Sequence, residues 1–137
     1  MEREERIKQL KTITGHLLSK YDLSHHSCSH VCYFIKPQDV IEIVKDYREL
    51  LETSNIYISP ASMGLNSFST DNFKVYVGEN WFGVKSKEYD SKNHFECSVD
   101  MKEVEKIEID ISCNTILSFH FHYKELKSDS QYSFRYD

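Results

Sequence analysis

The strongest constraint in this sequence is a pair of alternating runs near its C-terminal end. Every second position is apolar on both sides of the short segment 113–115, and the apolar positions are Ile107, Ile109, Ile111, Leu117, Phe119, Phe121 and Tyr123. A period of two is typical of β-strands with one buried face. Slipping the pairing by one residue would turn a whole apolar set toward water, so the pattern also fixes the register.

The register predicted for this hairpin separates apolar pairs from ionisable pairs. The inner pairs are Ile111 with Leu117, Ile109 with Phe119 and Ile107 with Phe121. The outer pairs are Asp110 with Ser118, Glu108 with His120 and Lys106 with His122. We therefore expect the ionisable side chains to face water.

Upstream of the strands, the apolar period is that of a helix. Residues 2–20 and 37–53 carry apolar stripes at spacings of three and four, which predict two amphipathic helices. Pro37 suits the first position of the second helix, where its missing N–H is not needed, and Asn55 is a stop signal.

The rest of the chain indicates short strands. Segments 31–35, 56–58, 73–77, 82–84, 95–99 and 132–136 are predicted strands, 59–71 a long loop, and 100–105 one helical turn. The predicted fold class is α+β, with the two helices on one face of a twisted antiparallel sheet of five to six strands. We expect one domain over 1–137, with most strands in 72–137.

The charge is concentrated in one part of the chain. Between residues 88 and 110 lie eight acidic and three basic residues, a local excess equal to the net charge of −5 of the whole chain. Nucleic acid and anionic membranes are therefore poor partners, and a basic protein surface is a better one. The charged start, the lack of any long apolar run and four sparse cysteines predict a cytoplasmic protein with reduced thiols.

The segment HHSCSHVC, residues 25–32, concentrates three histidines and two cysteines. In a helix the pairs at spacing four could share a zinc ion, but Ser, His and Cys are weak helix formers. On a strand, Cys28 and Cys32 would lie about 13 Å apart and could not. The segment is interpreted as a polar linker that leads into a strand, with no metal.

The pair His120 and His122 is the second chemical candidate. On a strand the two imidazoles lie on one side about 6.6 Å apart, and Glu108 would complete a two-histidine, one-carboxylate set for iron. The same carboxylate could instead make an acid–base dyad with His120. An exposed cross-strand pair worth roughly a few tenths of a kcal/mol is the favoured interpretation, because an open sheet face does not exclude water.

Signatures of other enzyme classes do not occur in the sequence. No serine lies in a G-x-S-x-G elbow, and the four glycines are too far apart to cradle a phosphate. Cys97 alternates with Phe95 and Val99, which predicts a buried structural thiol. We expect no catalytic residues and no cofactor.

The functional hypothesis is a non-enzymatic inhibitor that occupies a basic site on a toxin or a defence enzyme, as immunity proteins, antitoxins and phage anti-defence proteins do. Outward-facing Trp81 beside acidic residues is the composition of a binding hot spot. The predicted partner-binding residues are Trp81, Glu96, Glu103, Glu105, Glu108, Asp110 and His120. The alternatives are a metal or small-molecule site at His120, His122 and Glu108, with or without the stretch 25–32, a ligand pocket under loop 59–71, and a homodimer that covers the outer face.

Overall fold

A computed structural model of the chain describes residues 4–5, 8, 30–59, 68–70, 73–86, 96–112, 116–125 and 129–135. Apart from residues 4, 5 and 8, the predicted helix 2–20 lies outside the described residues, as do positions 25–29 of the histidine- and cysteine-rich segment. No helix within the described ranges has the length and apolar content needed to cross a membrane.

The described helix, α1 (Pro37–Leu51), confirms the second predicted helix and begins at the predicted proline. The Asp39 carboxylate accepts a hydrogen bond from the Lys36 backbone N–H at 2.9 Å and so satisfies a donor at the first turn. At the other end, the hydroxyls of Thr53 and Ser54 donate to the carbonyls of Leu50 and Leu51 at 2.6 and 2.7 Å. These bonds end the helix two residues before its predicted boundary. Its buried side chains are Val40, Ile41, Ile43, Val44, Leu50 and Leu51.

The strands form two separate antiparallel sheets. In chain order they are β1 (His30–Ile35), β2 (Asn55–Ile58), β3 (Phe68–Thr70), β4 (Phe73–Val77), β5 (Trp81–Ser86), β6 (Glu96–Asp100), β7 (Val104–Ser112), β8 (Ile116–Tyr123) and β9 (Ser130–Arg135). The large sheet has the order β1-β7-β8-β9-β2-β3, and the small sheet has the order β4-β5-β6.

The register of the β7–β8 hairpin is the one predicted from the sequence. Ile111 pairs with Leu117, Ile109 with Phe119 and Ile107 with Phe121, while Asp110 pairs with Ser118, Glu108 with His120 and Lys106 with His122. The apolar members are buried. The predicted alternation of inner and outer residues is confirmed across this hairpin.

The two sheets pack face to face through aromatic side chains. The ring of Phe82 in the small sheet lies 5.2 Å from that of Tyr132 and 5.7 Å from that of Phe121, both in the large sheet. Phe73 and Phe134 make a second such contact at 6.2 Å between centroids. Tilted and edge-on rings at these distances are favourable beyond their buried area. The core therefore lies between the sheets, with α1 packed mainly against β4.

Two expectations about the architecture were wrong. A single sheet of five to six strands was expected, whereas β4, β5 and β6 form a sheet of their own that covers the large sheet together with α1. Alternation specifies which side of a strand is buried, but it does not specify which sheet the strand joins. The predicted loop 59–71 also contains β3, which pairs with β2.

The predicted helical turn at 100–105 is a shorter 3-10 turn at Met101–Glu103. The Asp100 carboxylate accepts a hydrogen bond from the Lys102 backbone N–H at 2.9 Å, so Asp100 caps this turn. The turn connects β6 of the small sheet directly to β7 of the large sheet. It therefore brings the acidic segment to the junction of the two sheets.

Candidate functional site

The structure divides the predicted partner-binding residues between two outer faces and the junction of the sheets, where the 3-10 turn leads into β7. Trp81 and Glu96 project from the outer face of the small sheet, on the side opposite to the buried Phe82 and Val99. Glu108, Asp110 and His120 project from the outer face of the large sheet. Because the sheets pack through their inner faces, these two groups point away from each other. Glu103 and Glu105 are exposed at the junction.

On the large sheet, the histidines contact carboxylates diagonally rather than directly across the strands. His122 Nε2 lies 3.3 Å from Glu108 Oε1, and His120 Nε2 lies 3.7 Å from Asp110 Oδ2. The expected Glu108–His120 dyad is thus replaced by two separate histidine–carboxylate pairs, although the strand register is the predicted one. Diagonal neighbours are within reach of long side chains on a twisted sheet.

A second carboxylate holds His122 from its other side. His122 Nδ1 lies 2.9 Å from Asp129 Oδ2, so this imidazole lies between Asp129 and Glu108. Lys106, expected to face His122, places its Nζ 5.5 Å from the centroid of the exposed Phe34 ring. The two imidazoles are directed to different carboxylates. Across the described ranges, no group of three His, Cys, Asp or Glu side chains could hold a metal ion.

Only the end of the histidine- and cysteine-rich segment is described. Positions 30–32 belong to β1, whose backbone pairs with β7 from His30–Ser112 to Ile35–Ile107. The predicted strand 31–35 is therefore confirmed. Metal binding by residues 25–29 lies outside the described residues.

Beside the histidines is a polar hollow of about 400 Å³ that the sequence did not indicate. Its floor is formed by Ser118 and Ser133, whose hydroxyl oxygens lie 2.8 Å apart and which are both buried. The Arg135 guanidinium lies 4.9 Å from the centroid of the Tyr57 ring at its side. Alternation places these residues on the outer face, but it does not show that larger neighbours would bury the two serines.

The outer face of the small sheet exposes two aromatic side chains beside two glycines. Trp81 is 43% exposed and Tyr76 is 48% exposed. A β carbon at Gly78 would lie 2.0 Å from the Trp81 Nε1, so the indole lies directly over this glycine. Tyr76 pairs with Gly83, which leaves a hollow of about 540 Å³ lined by Tyr76 and Trp81. The glycines thus create an open aromatic surface.

Acidic residues lie on one side of Trp81. Asp100 pairs with Trp81 across β5 and β6, and the β4–β5 turn carries the exposed Glu79. The Met101 N–H donates to the Asn80 carbonyl at 2.8 Å, which fixes this turn against the 3-10 turn. We call the set Glu79, Trp81, Asp100, Glu103 and Glu105 the acidic corner. Glu79, Asp100 and Lys102 line a hollow beside the indole, and Glu103 and Glu105 follow along the chain toward Lys124, whose backbone N–H donates to the Glu103 carbonyl at 2.9 Å. Glu79 was missed in the sequence because a turn glutamate has no periodic signal.

Cys97 is a half-buried thiol on the inner side of β6. Burial raises its pKa from 9.0 to about 11, against the opposing effect of a hydrogen bond with Tyr132. Burial also raises the pKa of the Tyr132 phenol, and the neighbouring Cys97 adds to this shift. Cys97 is consequently a neutral thiol at physiological pH, which is unsuited to nucleophilic catalysis. The thiol lies on the predicted inner side of its strand, although it is half-buried and not buried as expected.

A comparison of the chain with protein-family models, with curated proteins and with solved structures finds no match.

Proposed function

We propose that this chain is a non-enzymatic binding protein that neutralises a partner protein by occupying a basic site with its acidic corner. The observation that carries the proposal is the exposed indole of Trp81, held over Gly78 and in register with Asp100. Binding hot spots are enriched in tryptophan, surrounded by polar groups that exclude water. An exposed indole with the carboxylates of Glu79 and Asp100 beside it has this composition.

The charge of the corner supports a basic partner. The corner has four acidic residues against two basic ones, Lys102 in the same stretch and Lys124 beside Glu103, so it keeps a negative excess next to an aromatic ring. Opposite charges speed the encounter of two proteins and exclude partners of like charge. Association through this surface would be fast and would weaken as salt is added.

The partner class follows from the same chemistry. Enzymes that act on nucleic acid or other phosphate-bearing substrates have basic clefts, and an indole beside carboxylates offers an aromatic face and negative charge, as a nucleotide does. A cytoplasmic toxin or a defence enzyme with such a cleft is the proposed target. This assigns the chain the role of an immunity protein, an antitoxin or a phage anti-defence protein.

The alternative site at His120, His122 and Glu108 is not part of the proposal. Each of the two imidazoles lies beside a different carboxylate, and His122 lies between Glu108 and Asp129. The geometry therefore favours separate histidine–carboxylate contacts over a shared ligand set.

Site-specific photo-cross-linking in the cells that express the chain tests the proposal. A benzophenone amino acid at position 81 is expected to capture a partner with a basic cleft, whereas the same group at Phe34 is expected to capture nothing. Phe34 is a matched control because it is 66% exposed and lies on the other sheet. The purified partner should lose activity on addition of the chain. Capture at position 34 alone, or an unaffected partner, would contradict the proposal.

A further inference from the structure

The small sheet has two edges, and the structure closes one of them with a side chain. At the β4 edge, the Val75 backbone N–H donates to Glu52 Oε2 at 2.7 Å. Glu52 follows the last residue of α1, which packs against this strand. A carboxylate bonded to the edge prevents another strand from pairing there.

At the opposite edge, on β6, the hydrogen bonds show which backbone groups point toward β5 and which point away from the sheet. Between β4 and β5, the Gly78 backbone N–H donates to the Trp81 carbonyl at 2.8 Å. Between β5 and β6, the Met101 backbone N–H donates to the Asn80 carbonyl at 2.8 Å. Because hydrogen-bonded pairs alternate along antiparallel strands, Cys97 and Val99 bond to β5. The N–H and C=O groups of Glu96, Ser98 and Asp100 therefore point away from the sheet. In the described part of the chain, β5 is the strand that pairs with β6.

The side chains along this edge specify the charge of a pairing strand. Glu96 and Asp100 lie on the outer face, both exposed, with Ser98 between them. A second copy of this chain paired antiparallel about Ser98 would place Glu96 directly opposite the Asp100 of the copy. Like charges in that position destabilise a strand pair, so the edge selects against self-association. A strand with basic residues opposite both acids is favoured instead.

We propose that the partner adds an extended segment to the β6 edge, with the pattern basic–apolar–any–apolar–basic. The two basic residues would lie opposite Glu96 and Asp100, and the two apolar residues would lie beside Cys97 and Val99. Backbone bonds supply affinity in this mode of recognition, and alternate side chains supply specificity. The pattern is symmetric, so it fits parallel and antiparallel pairing alike. This inference rests on the proposed function, because Asp100 also belongs to the acidic corner.

A capped peptide Thr-Lys-Val-Thr-Val-Lys-Thr, added at millimolar concentration to the isotope-labelled full chain, tests the inference by NMR. The expected result is saturable shifts of the amides of residues 96, 98 and 100. Replacing both lysines by glutamate should weaken binding at least tenfold. Two N-methylated peptides, one blocked at the lysine and central threonine amides and one at the two valine amides, cover both pairing directions, and one of them should not bind.

Variants of the chain separate edge pairing from simple charge attraction. The double variant Glu96→Lys/Asp100→Lys should bind the glutamate peptide in preference to the lysine peptide. Asp46→Lys/Glu49→Lys on α1 makes the same change in net charge at exposed positions and should leave the preference unchanged. Ser98→Pro removes one outward N–H without touching a bond to β5, and it should weaken binding while leaving the thermal transition close to that of the parent.

The outcomes distinguish this inference from the proposed function. Capture of a basic partner at position 81, together with no shifts at residues 96–100 from millimolar peptide, would overturn edge pairing and leave the acidic corner standing. Saturable shifts with both N-methylated peptides would also overturn it, because they would show binding through side chains alone.

Discussion

The indole of Trp81 occupies the space above Gly78, so that a β carbon at Gly78 would lie 2.0 Å from the indole Nε1. This contact holds an exposed aromatic ring in a defined position without burying it. The β4–β5 turn supports it, since the Gly78 N–H donates to the Trp81 carbonyl at 2.8 Å. The position of the proposed hot spot therefore depends on a residue that has no side chain.

Replacing Gly78 by alanine should displace the indole. The indole atoms nearest to the new β carbon belong to a rigid ring, so the whole ring has to move. We expect a loss of about 1 kcal/mol in the free energy of unfolding. Trp81 is the single tryptophan of the chain, so its fluorescence reports the change directly. A shifted emission maximum in Gly78→Ala is expected. An unchanged spectrum would show that the indole does not rest on Gly78.

Phe82 and Trp81 are adjacent residues on opposite faces of β5, and their truncation should have very different costs. Phe82 is fully buried against three aromatic rings of the large sheet, so Phe82→Ala should lower the free energy of unfolding by about 3–5 kcal/mol. Trp81→Ala should cost about 1 kcal/mol or less. Urea unfolding of both variants measures the difference. Equal losses would contradict the inward and outward assignments.

Much of this arrangement follows from the sequence, and the reason is physical. Period-two alternation fixed the register of β7 and β8 to the residue, because a slip would expose Ile107, Ile109 and Ile111. Pro37 marked the start of α1 correctly. The division into two sheets was not predictable, because alternation in β4, β5 and β6 is equally compatible with one sheet.

The candidate site was predictable in part. Trp81 is predicted to face outward because it is adjacent to the inward-facing Phe82 on the same strand, and the structure agrees. The diagonal contacts of His120 and His122 could not be predicted from the sequence. The strand register shows which residues lie opposite each other, but it does not determine the rotamers of their side chains. Partner binding by the predicted residues stays a prediction.

The bond between Glu52 and the Val75 N–H should contribute measurably to stability. Glu52→Ala removes a charged acceptor from a partly buried donor, for which we expect a loss of about 1.5–3 kcal/mol. Glu52→Gln keeps an acceptor oxygen and should recover part of that loss. The exposed Glu49→Ala on the same helix serves as the control. Thermal and urea unfolding measure the three values, and equal stability of Glu52→Ala and Glu49→Ala would contradict the role of this bond.

The thiol of Cys97 should make stability depend on alkaline pH. Its pKa in the folded chain is raised by burial from 9.0 to about 11, so the folded state favours the neutral thiol. That contribution is fully present below the unfolded pKa and is lost as pH rises toward the folded pKa. It amounts to at most about 2–3 kcal/mol.

Urea unfolding of the parent chain and of Cys97→Ala between pH 8 and pH 11 checks this effect. The parent should lose stability more steeply than the variant, because the variant lacks the titrating thiol. Because Cys97 also raises the pKa of the Tyr132 phenol, the difference between the two profiles reports the Cys97–Tyr132 pair. Parallel pH profiles would show that Cys97 does not titrate differently in the folded and unfolded chains.

The most direct test of the acidic corner is the affinity of the cross-linked partner for two charge-reversed variants. Glu103→Lys/Glu105→Lys changes the corner, and Asp46→Lys/Glu49→Lys changes exposed acids on α1 by the same net charge. Titration calorimetry at fixed salt should show at least a tenfold loss of affinity for the first variant and a change of less than about twofold for the second. Equal affinities for the two variants, or a greater loss for the helix variant, would contradict the account.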